Sequence, residues 1–480
     1  MDVTLAGKRD FPMVIGGEKV RTAALRSVTL PYDGSPVAEV YEADASVVDK
    51  AVTAAQAGAV AMSKLTLYER SELLERVRRL LERDAEEFAH LVCCETGKPI
   101  REARAEVERS QRTLVASADA ARHLQGEVVP MEAAPTGKGR WAITVREPLG
   151  VIGAITPFNF PLNLAMHKIG PALAGGNSVI HKPSENTPLS ALRLAQLIQE
   201  AGTPAGAYNV ITGLGGEVGE RMVRDPRVAM ITFTGSVEVG EQIRARAGLR
   251  RVTLELGSNS SVILEPDCDL EMLIPRCVTG SFAHSGQVCI SVQNIYVQES
   301  IEMEFTERFV ASAKALKIGN PLDESTEISS LISEGEAQRV ESWIERACDR
   351  GARIVTGGGR SLATIEPTVL VDVPCDLEVC CKEVFGPVVV LHRYRELEEA
   401  INAVNASEYG LQAGLCTRDI GKAFRAARQL RVGGVMVNDV PTYRVDHMPY
   451  GGIKKSGVGR EGPRYVVEEM TESKLICWRG

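Results

Sequence analysis

Residues 46–123 repeat apolar positions three and four apart, as in "VVDKAVTAAQAGAVA" and the Arg/Glu-laced "ERSELLERVRRLLERDAEEFAHLV", which predicts a layer of amphipathic helices. Ser46 and Asp49, spaced as a capping box, mark its expected start. From about residue 150 the rhythm changes. Five short apolar runs, "GVIGAI", "NSVIHK", "YNVIT", "VAMITF" and "RVTLEL", alternate with helical stretches such as 188–200 and 237–247. That βαβ pattern implies a parallel sheet and an α/β fold. A second alternating region covers about 260–435, and the Gly/Pro-rich "MPYGGIKKSGVGREGP" interrupts it before a last apolar stretch, "SKLICW". "GKGRWAITVREP" alternates as a strand. There is no internal repeat and no low-complexity segment.

Composition narrows the function classes. The chain has 480 residues, enough for two or three cores, and is 44% hydrophobic and 25% charged. Its 55 basic and 63 acidic residues give a net charge of −8, and no basic cluster alternates with aromatics, so neither nucleic acid nor an anionic membrane is an expected partner. The N-terminus lacks a basic segment followed by an apolar core, and the most apolar stretch, "VIGAITPFNFPLNLAM", is broken by two prolines and two asparagines. Eleven cysteines without a CxxC form neither a disulfide framework nor a zinc pattern. A reducing cytoplasm is expected, and no metal.

The glycine-rich "GLGGEVG" (213–219) follows a predicted strand but is not a dinucleotide fingerprint: Val218 stands where GxGxxG needs glycine, and no acidic residue lies about 20 positions on. It reads as an ordinary loop. The chemistry gathers elsewhere. "TPFNFP" (156–161), "HKPSE" (181–185), "LELGSNS" (254–260) and "GQVCIS" (286–291), together with "FTGS" (233–236), "KEVFGP" (382–387) and "YGGIKKSG" (450–457), resemble the aldehyde dehydrogenase superfamily over nearly the whole chain. "GQVCISVQ", "LELGSN" and "RVDHMPYGG" look most like its lactaldehyde-dehydrogenase-like branch.

The resemblance implies a Rossmann-type cofactor domain (1–123 and 145–256), an α/β catalytic domain (257–446) and a β-ribbon oligomerisation element (124–144 and 465–480), hence a homodimer or tetramer. It makes Cys289 the nucleophile, consistent with a thiolate adding to an aldehyde to give a hemithioacetal that expels hydride. Asn159 and the nucleophile's backbone N–H would hold the oxyanion. Glu255, between leucines in a buried-strand pattern, would activate water to hydrolyse the thioester. Ser258 and Ser261 depart from the commonest family form, which bears on the subfamily more than on the activity.

The family's cofactor contacts carry over to Ile155, Thr156, Pro157, Phe158, Lys182, Ser184, Glu185, Gly215, Gly235, Ser236, Leu256, Glu383 and Phe385. A carboxylate at Glu185 accepts from a ribose 2′-hydroxyl and repels a 2′-phosphate, so NAD is expected over NADP, which stays open. His167, Arg444 and Tyr450 fall on substrate-pocket positions. A cation at Arg444, with His167 as a further donor, suits a small polar aldehyde that is hydroxylated or anionic. A CoA-acylating enzyme and a catalytically silent structural relative are the alternatives; Glu255 opposes the first, and Cys289, Asn159 and Glu255 together oppose the second.

Overall fold

The computed structural model describes residues 11–480, so residues 1–10 of the first expected segment lie outside it. The helical layer consists of Ala45–Ser63, Leu67–Arg83, Ala85–Thr96 and Ile100–Arg122. Its first cap differs from the expected one. Asp44, not Ser46, ends the extended chain, and its carboxylate accepts from the N–H groups of Ser46 (2.8 Å) and Val47 (3.0 Å). Ser46 already lies inside the helix and spends its hydroxyl on Asp44. The reciprocal box occurs instead at the second helix, where Glu69 N–H donates to Thr66 Oγ1 (3.2 Å) and Thr66 N–H to Glu69 Oε2 (2.7 Å).

The five apolar runs become Val151–Ile155, Ser178–Lys182, Tyr208–Val210, Met230–Thr234 and Arg251–Glu255. They pair in parallel in the order 208–178–151–230–251, counted by first residue. The antiparallel Met13–Ile15 and Glu18–Val20 extend one edge and Gly457–Val458 closes the other. Helices cover this sheet, which is why Ser178–Lys182 and Met230–Thr234 are buried along their whole length. The chain leaves Val151–Ile155 first toward one edge and later toward the other. A crevice therefore opens beyond the carboxyl ends of Val151–Ile155 and Met230–Thr234.

A second sheet of seven strands, from Ser261–Leu264 to Gly434–Val437, is parallel except for Arg353–Thr356. A third sheet joins Val128–Val129, Arg140–Pro148 and Thr471–Arg479. Its central strand runs past the expected boundary at 144 to Pro148, and its last strand begins at Thr471 rather than 465. Residues Pro463–Glu469 are helical instead, and Val466 and Val467 pack into the core around the first sheet. "GLGGEVG" is not an ordinary loop either: Gly215–Gly219 coils into a wide helical turn that leads into Glu220–Arg224. No described helix is long and apolar enough to cross a membrane.

Candidate active site

The helix Leu270–Phe282 ends in a tight reversal, with His284 and Ser285 at φ 49° and 53° and Gly286 at φ 73°. A Cβ on Gly286 would lie 2.2 Å from the carbonyl oxygen of Gly386, so only glycine lets the two loops touch. The reversal presents Cys289 beside Tyr450, Sγ to hydroxyl 2.9 Å, in a small apolar cluster with Ile290 and Leu411. Burial pushes the Cys289 thiol up to about 12, against the opposing pull of the Tyr450 hydroxyl and the Arg444 charge. Burial also raises the Tyr450 phenol, which keeps its proton and can donate it to a thiolate. Asn159 follows the strand Val151–Ile155; its amide donates to the Gln287 carbonyl (2.8 Å), and its buried carbonyl oxygen has no partner. The two loops that carry Asn159 and Cys289 are thus tied directly together.

Glu255 ends the strand Arg251–Glu255, and both its carboxylate oxygens are buried without a hydrogen bond. Burial, reinforced by the Glu461 charge, pushes its carboxyl well above the usual range, while Lys168, Arg444 and Arg460 oppose the shift. It lies close enough to Cys289 for its charge to raise the thiol as well. Such a carboxyl is a base poised nearer neutrality than an exposed one.

Behind Tyr450 lies a buried ionic network. The Arg444 guanidinium stacks on the Tyr450 ring at 3.8 Å and donates through Nη2 to Glu461 Oε2 (2.9 Å), whose Oε1 accepts from Lys168 Nζ (3.0 Å). Arg444 Nε, equally buried, has no partner. His167 is fully buried with Nε2 3.1 Å from Asp446 Oδ1, which also accepts from Arg109 Nη2 (2.8 Å) and Asn163 Nδ2 (3.1 Å). The expected substrate donor His167 therefore sits a layer back, against Arg444 (3.1 Å), with its ring held by Asp446. Arg444 does not pair with Asp446, which Arg109, Asn163 and His167 already occupy; its carboxylate partner is Glu461. Sequence reasoning missed Lys168, Glu461, Asp446, Arg109 and Asn163 as site residues. A lysine inside the wholly buried helix Asn163–Ala174 was the available signal.

The crevice at the strand ends collects the expected cofactor positions. Ile155, Thr156, Pro157 and Phe158 leave one strand, and the Thr156 hydroxyl lies 2.8 Å from His181 Nε2. Lys182 Nζ donates to the Pro183 carbonyl (3.1 Å) and to Glu185 Oε2 (3.3 Å), with Ser184 in the same turn. Gly235 and Ser236 precede the helix Val237–Ala247, and Ser236 caps it by accepting from Val239 N–H (3.4 Å). Leu256 is buried under that helix. Glu383 Oε1 accepts from Ser258 N–H (2.9 Å), and burial pushes its carboxyl up to about 7. Phe385, at φ 50°, meets Phe158 edge-on at 5.6 Å. Gly215 opens the wide turn, with open space where a Cβ would be. The buried, unpartnered Thr234 hydroxyl beside a helix N-terminus, with the Glu185 and Glu383 carboxylates in separate turns, fits a dinucleotide: the helix end suits the phosphates and the carboxylates suit ribose hydroxyls.

The family model described as "Aldehyde dehydrogenase family" matches residues 20–476. The chain belongs to the aldehyde dehydrogenase family. It is accordingly an NAD(P)-dependent aldehyde dehydrogenase. The chain is 48% identical to the 3-sulfolactaldehyde dehydrogenase of Priestia megaterium over 473 residues, 98% of this chain and 99% of that one. It is 40% identical to the lactaldehyde dehydrogenase of Methanococcus aeolicus over 468 residues, 97% and 99% of the two chains. Among solved structures it resembles the glyceraldehyde-3-phosphate dehydrogenase GapN of Methanocaldococcus jannaschii complexed with NADP, at TM-score 0.92 and 40% identity over 96% of this chain and 100% of that one. The expected likeness to lactaldehyde dehydrogenases is borne out.

Proposed function

We propose that this aldehyde dehydrogenase oxidises a three-carbon 2-hydroxyaldehyde with an anionic group on C3, of the 3-sulfolactaldehyde type, to its acid, and prefers NAD to NADP. The observation that carries the reading is Arg444: a buried guanidinium stacked on Tyr450, which touches Cys289, with its Nε unpartnered. A buried donor without a partner is costly, so a ligand anion there gains a charge-assisted hydrogen bond that a neutral chain cannot make. The three relatives are named for 3-sulfolactaldehyde, lactaldehyde and glyceraldehyde 3-phosphate, all three-carbon 2-hydroxyaldehydes, two with an anion on C3. His167 is a positioning residue that holds Arg444 rather than a direct substrate donor.

Cys289 gives up its proton to solvent, and the Tyr450 hydroxyl stabilises the thiolate by donation. The sulfur adds to the aldehyde carbon, and the oxyanion falls to Asn159 Nδ2 and the Cys289 backbone N–H, at about 3 kcal/mol per donor. Lys182, Glu185, Ser236 and Glu383 would hold a nicotinamide dinucleotide in the crevice, where it would supply the acceptor for the hydride that the Cys289 hemithioacetal expels. Glu255 takes a proton from water, the hydroxide attacks the Cys289 thioester, the C–S bond breaks to free the acid, and Glu255 returns its proton to the sulfur, which restores the thiol. Glu185 at the 2′ position supports the preference for NAD.

The first sheet with its helices serves as the cofactor domain and the second sheet as the catalytic domain. The edge strand Thr471–Arg479, with exposed Leu475 and Trp478, supports self-association through the third sheet. Eleven free cysteines agree with a reducing cytoplasm. A substrate panel tests the function: kcat/KM should be higher for 3-sulfolactaldehyde than for hexanal or benzaldehyde, and benzaldehyde as the best substrate would overturn it.

A further inference from the structure

Away from the catalytic crevice, three soft or borderline ligand groups converge on the second sheet. Cys380 lies in the short helix Glu378–Cys381, Cys375 in the loop before it, and His392 on the strand Val388–Tyr394. The two sulfurs and a His392 ring nitrogen all lie within 4.8 Å of one another. Cys380 Sγ is 3.8 Å from His392 Nε2 and 3.8 Å from Asn294 Oδ1, and Nε2 is 2.9 Å from that same oxygen. A tetrahedral zinc-like ion with bonds of about 2.3 Å to sulfur and about 2.0–2.1 Å to nitrogen sets its ligands roughly 3.3–3.8 Å apart. The Cys380–His392 edge meets that spacing already.

We propose that Cys375, Cys380, His392 and Asn294 form a binding site for a thiophilic divalent cation of the zinc class. The ion replaces the two thiol protons, which pass to solvent, and the His392 proton shifts from Nε2 to Nδ1, so that a neutral imidazole offers its Nε2 lone pair. Asn294 Oδ1, which that ring N–H now faces, becomes the fourth ligand. Stacking of the imidazole on Tyr296 at 4.7 Å fixes its plane, and Cys375, the exposed member, gives the ion its way in. The spacing C-x4-C with a histidine on a later strand is none of the familiar sequence patterns, so only the fold reveals it.

The site sits at the root of a catalytic segment. The Cys380 carbonyl accepts from Asn259 Nδ2 (3.2 Å) and Asn294 Nδ2 (3.3 Å), and Gln293 holds the Val379 carbonyl (3.1 Å) and the Val384 N–H (3.0 Å). Glu383, three residues on from Cys380, reaches back to Ser258. An ion bound at Cys380 clamps the segment that carries Glu383 and adds stability by mass action.

The test uses full-length protein with Cys289→Ala, which removes the competing catalytic thiol, reduced and stripped with a chelator. Titration with Co2+ should give a thiolate-to-cobalt charge-transfer band saturating at one equivalent per chain, displaced by Zn2+, with a rise in Tm. Cys375→Ser, at an exposed position that the fold tolerates, should weaken binding on the order of 100-fold, whereas Cys381→Ser should not. Absence of the band, an undiminished band in Cys375→Ser, or loss of it in Cys381→Ser alone would overturn the assignment. So would a Cys375–Cys380 disulfide that persists in protein from a reducing lysate.

Discussion

Replacing Arg444 by methionine keeps a long apolar stem over Tyr450 and removes the charge and the unpartnered Nε. An anionic substrate loses one charge-assisted hydrogen bond, roughly 1.5–3 kcal/mol. Two further losses are independent of the substrate: the guanidinium stack on Tyr450 at 3.8 Å, and one of the two cations on Glu461, which keeps Lys168 at 3.0 Å. Both substrates report those equally, so the ratio of kcat/KM for 3-sulfolactaldehyde to that for lactaldehyde isolates the anion contact. It should fall by about 10- to 150-fold. Reduced-cofactor absorbance at saturating NAD is the assay. Because Arg444 lowers the Glu255 pKa, the variant's acid limb moves to higher pH, and rates belong on the plateau above it. A ratio unchanged while both substrates slow together would refute the reasoning and leave Arg444 as a prop for Tyr450.

Glu185→Ser removes the carboxylate that pairs with Lys182 at 3.3 Å and frees the ammonium for a 2′-phosphate, so the NAD-to-NADP ratio of kcat/KM should fall about tenfold or more; a wild-type ratio would show that Glu185 does not face the ribose. In Glu461→Gln the charge that raises Glu255 is gone and Lys168 and Arg444 lose their counter-ion, both of which lower the Glu255 pKa; the acid limb of the pH–kcat profile should move to lower pH, and an upward shift contradicts the network. Asp446→Ala strands Arg109 and His167 and should cost about 3–5 kcal/mol in denaturant unfolding. The Asp446 carboxyl is held well below its unfolded value, so its contribution is complete at neutral pH and erodes only in strong acid; a loss that appears first above pH 6 contradicts this sign.

The parallel strands were legible because fully buried strands read as uninterrupted apolar runs, and the helix starts at Leu189 and Val237 fell within a residue of expectation. Caps were less so. Asp44 and Ser46 both offer a capping oxygen, and which one serves depends on where the chain leaves Thr212, whose carbonyl holds Ala43 N–H (2.8 Å). Motifs brought Cys289, Asn159 and Glu255 into view one at a time. The contacts among Tyr450, Arg444, Glu461 and Lys168 span nearly 300 residues of chain, 293 between Lys168 and Glu461, and no local pattern encodes them. Cys380 and His392 lie only 12 residues apart, but they meet across a helix and a strand, beside Asn294 98 residues before His392, and no local pattern shows that either.

Catalysis of the proposed kind turns on a covalent intermediate at Cys289 that Glu255 releases. Mixing Glu255→Gln with NAD and 3-sulfolactaldehyde in a stopped-flow instrument measures it directly. A burst of one NADH per active site, then slow turnover, with the acyl group on Cys289 by mass spectrometry of the quenched protein, is the predicted result. Steady turnover at the wild-type rate, or a burst with no mass added to Cys289, would contradict it.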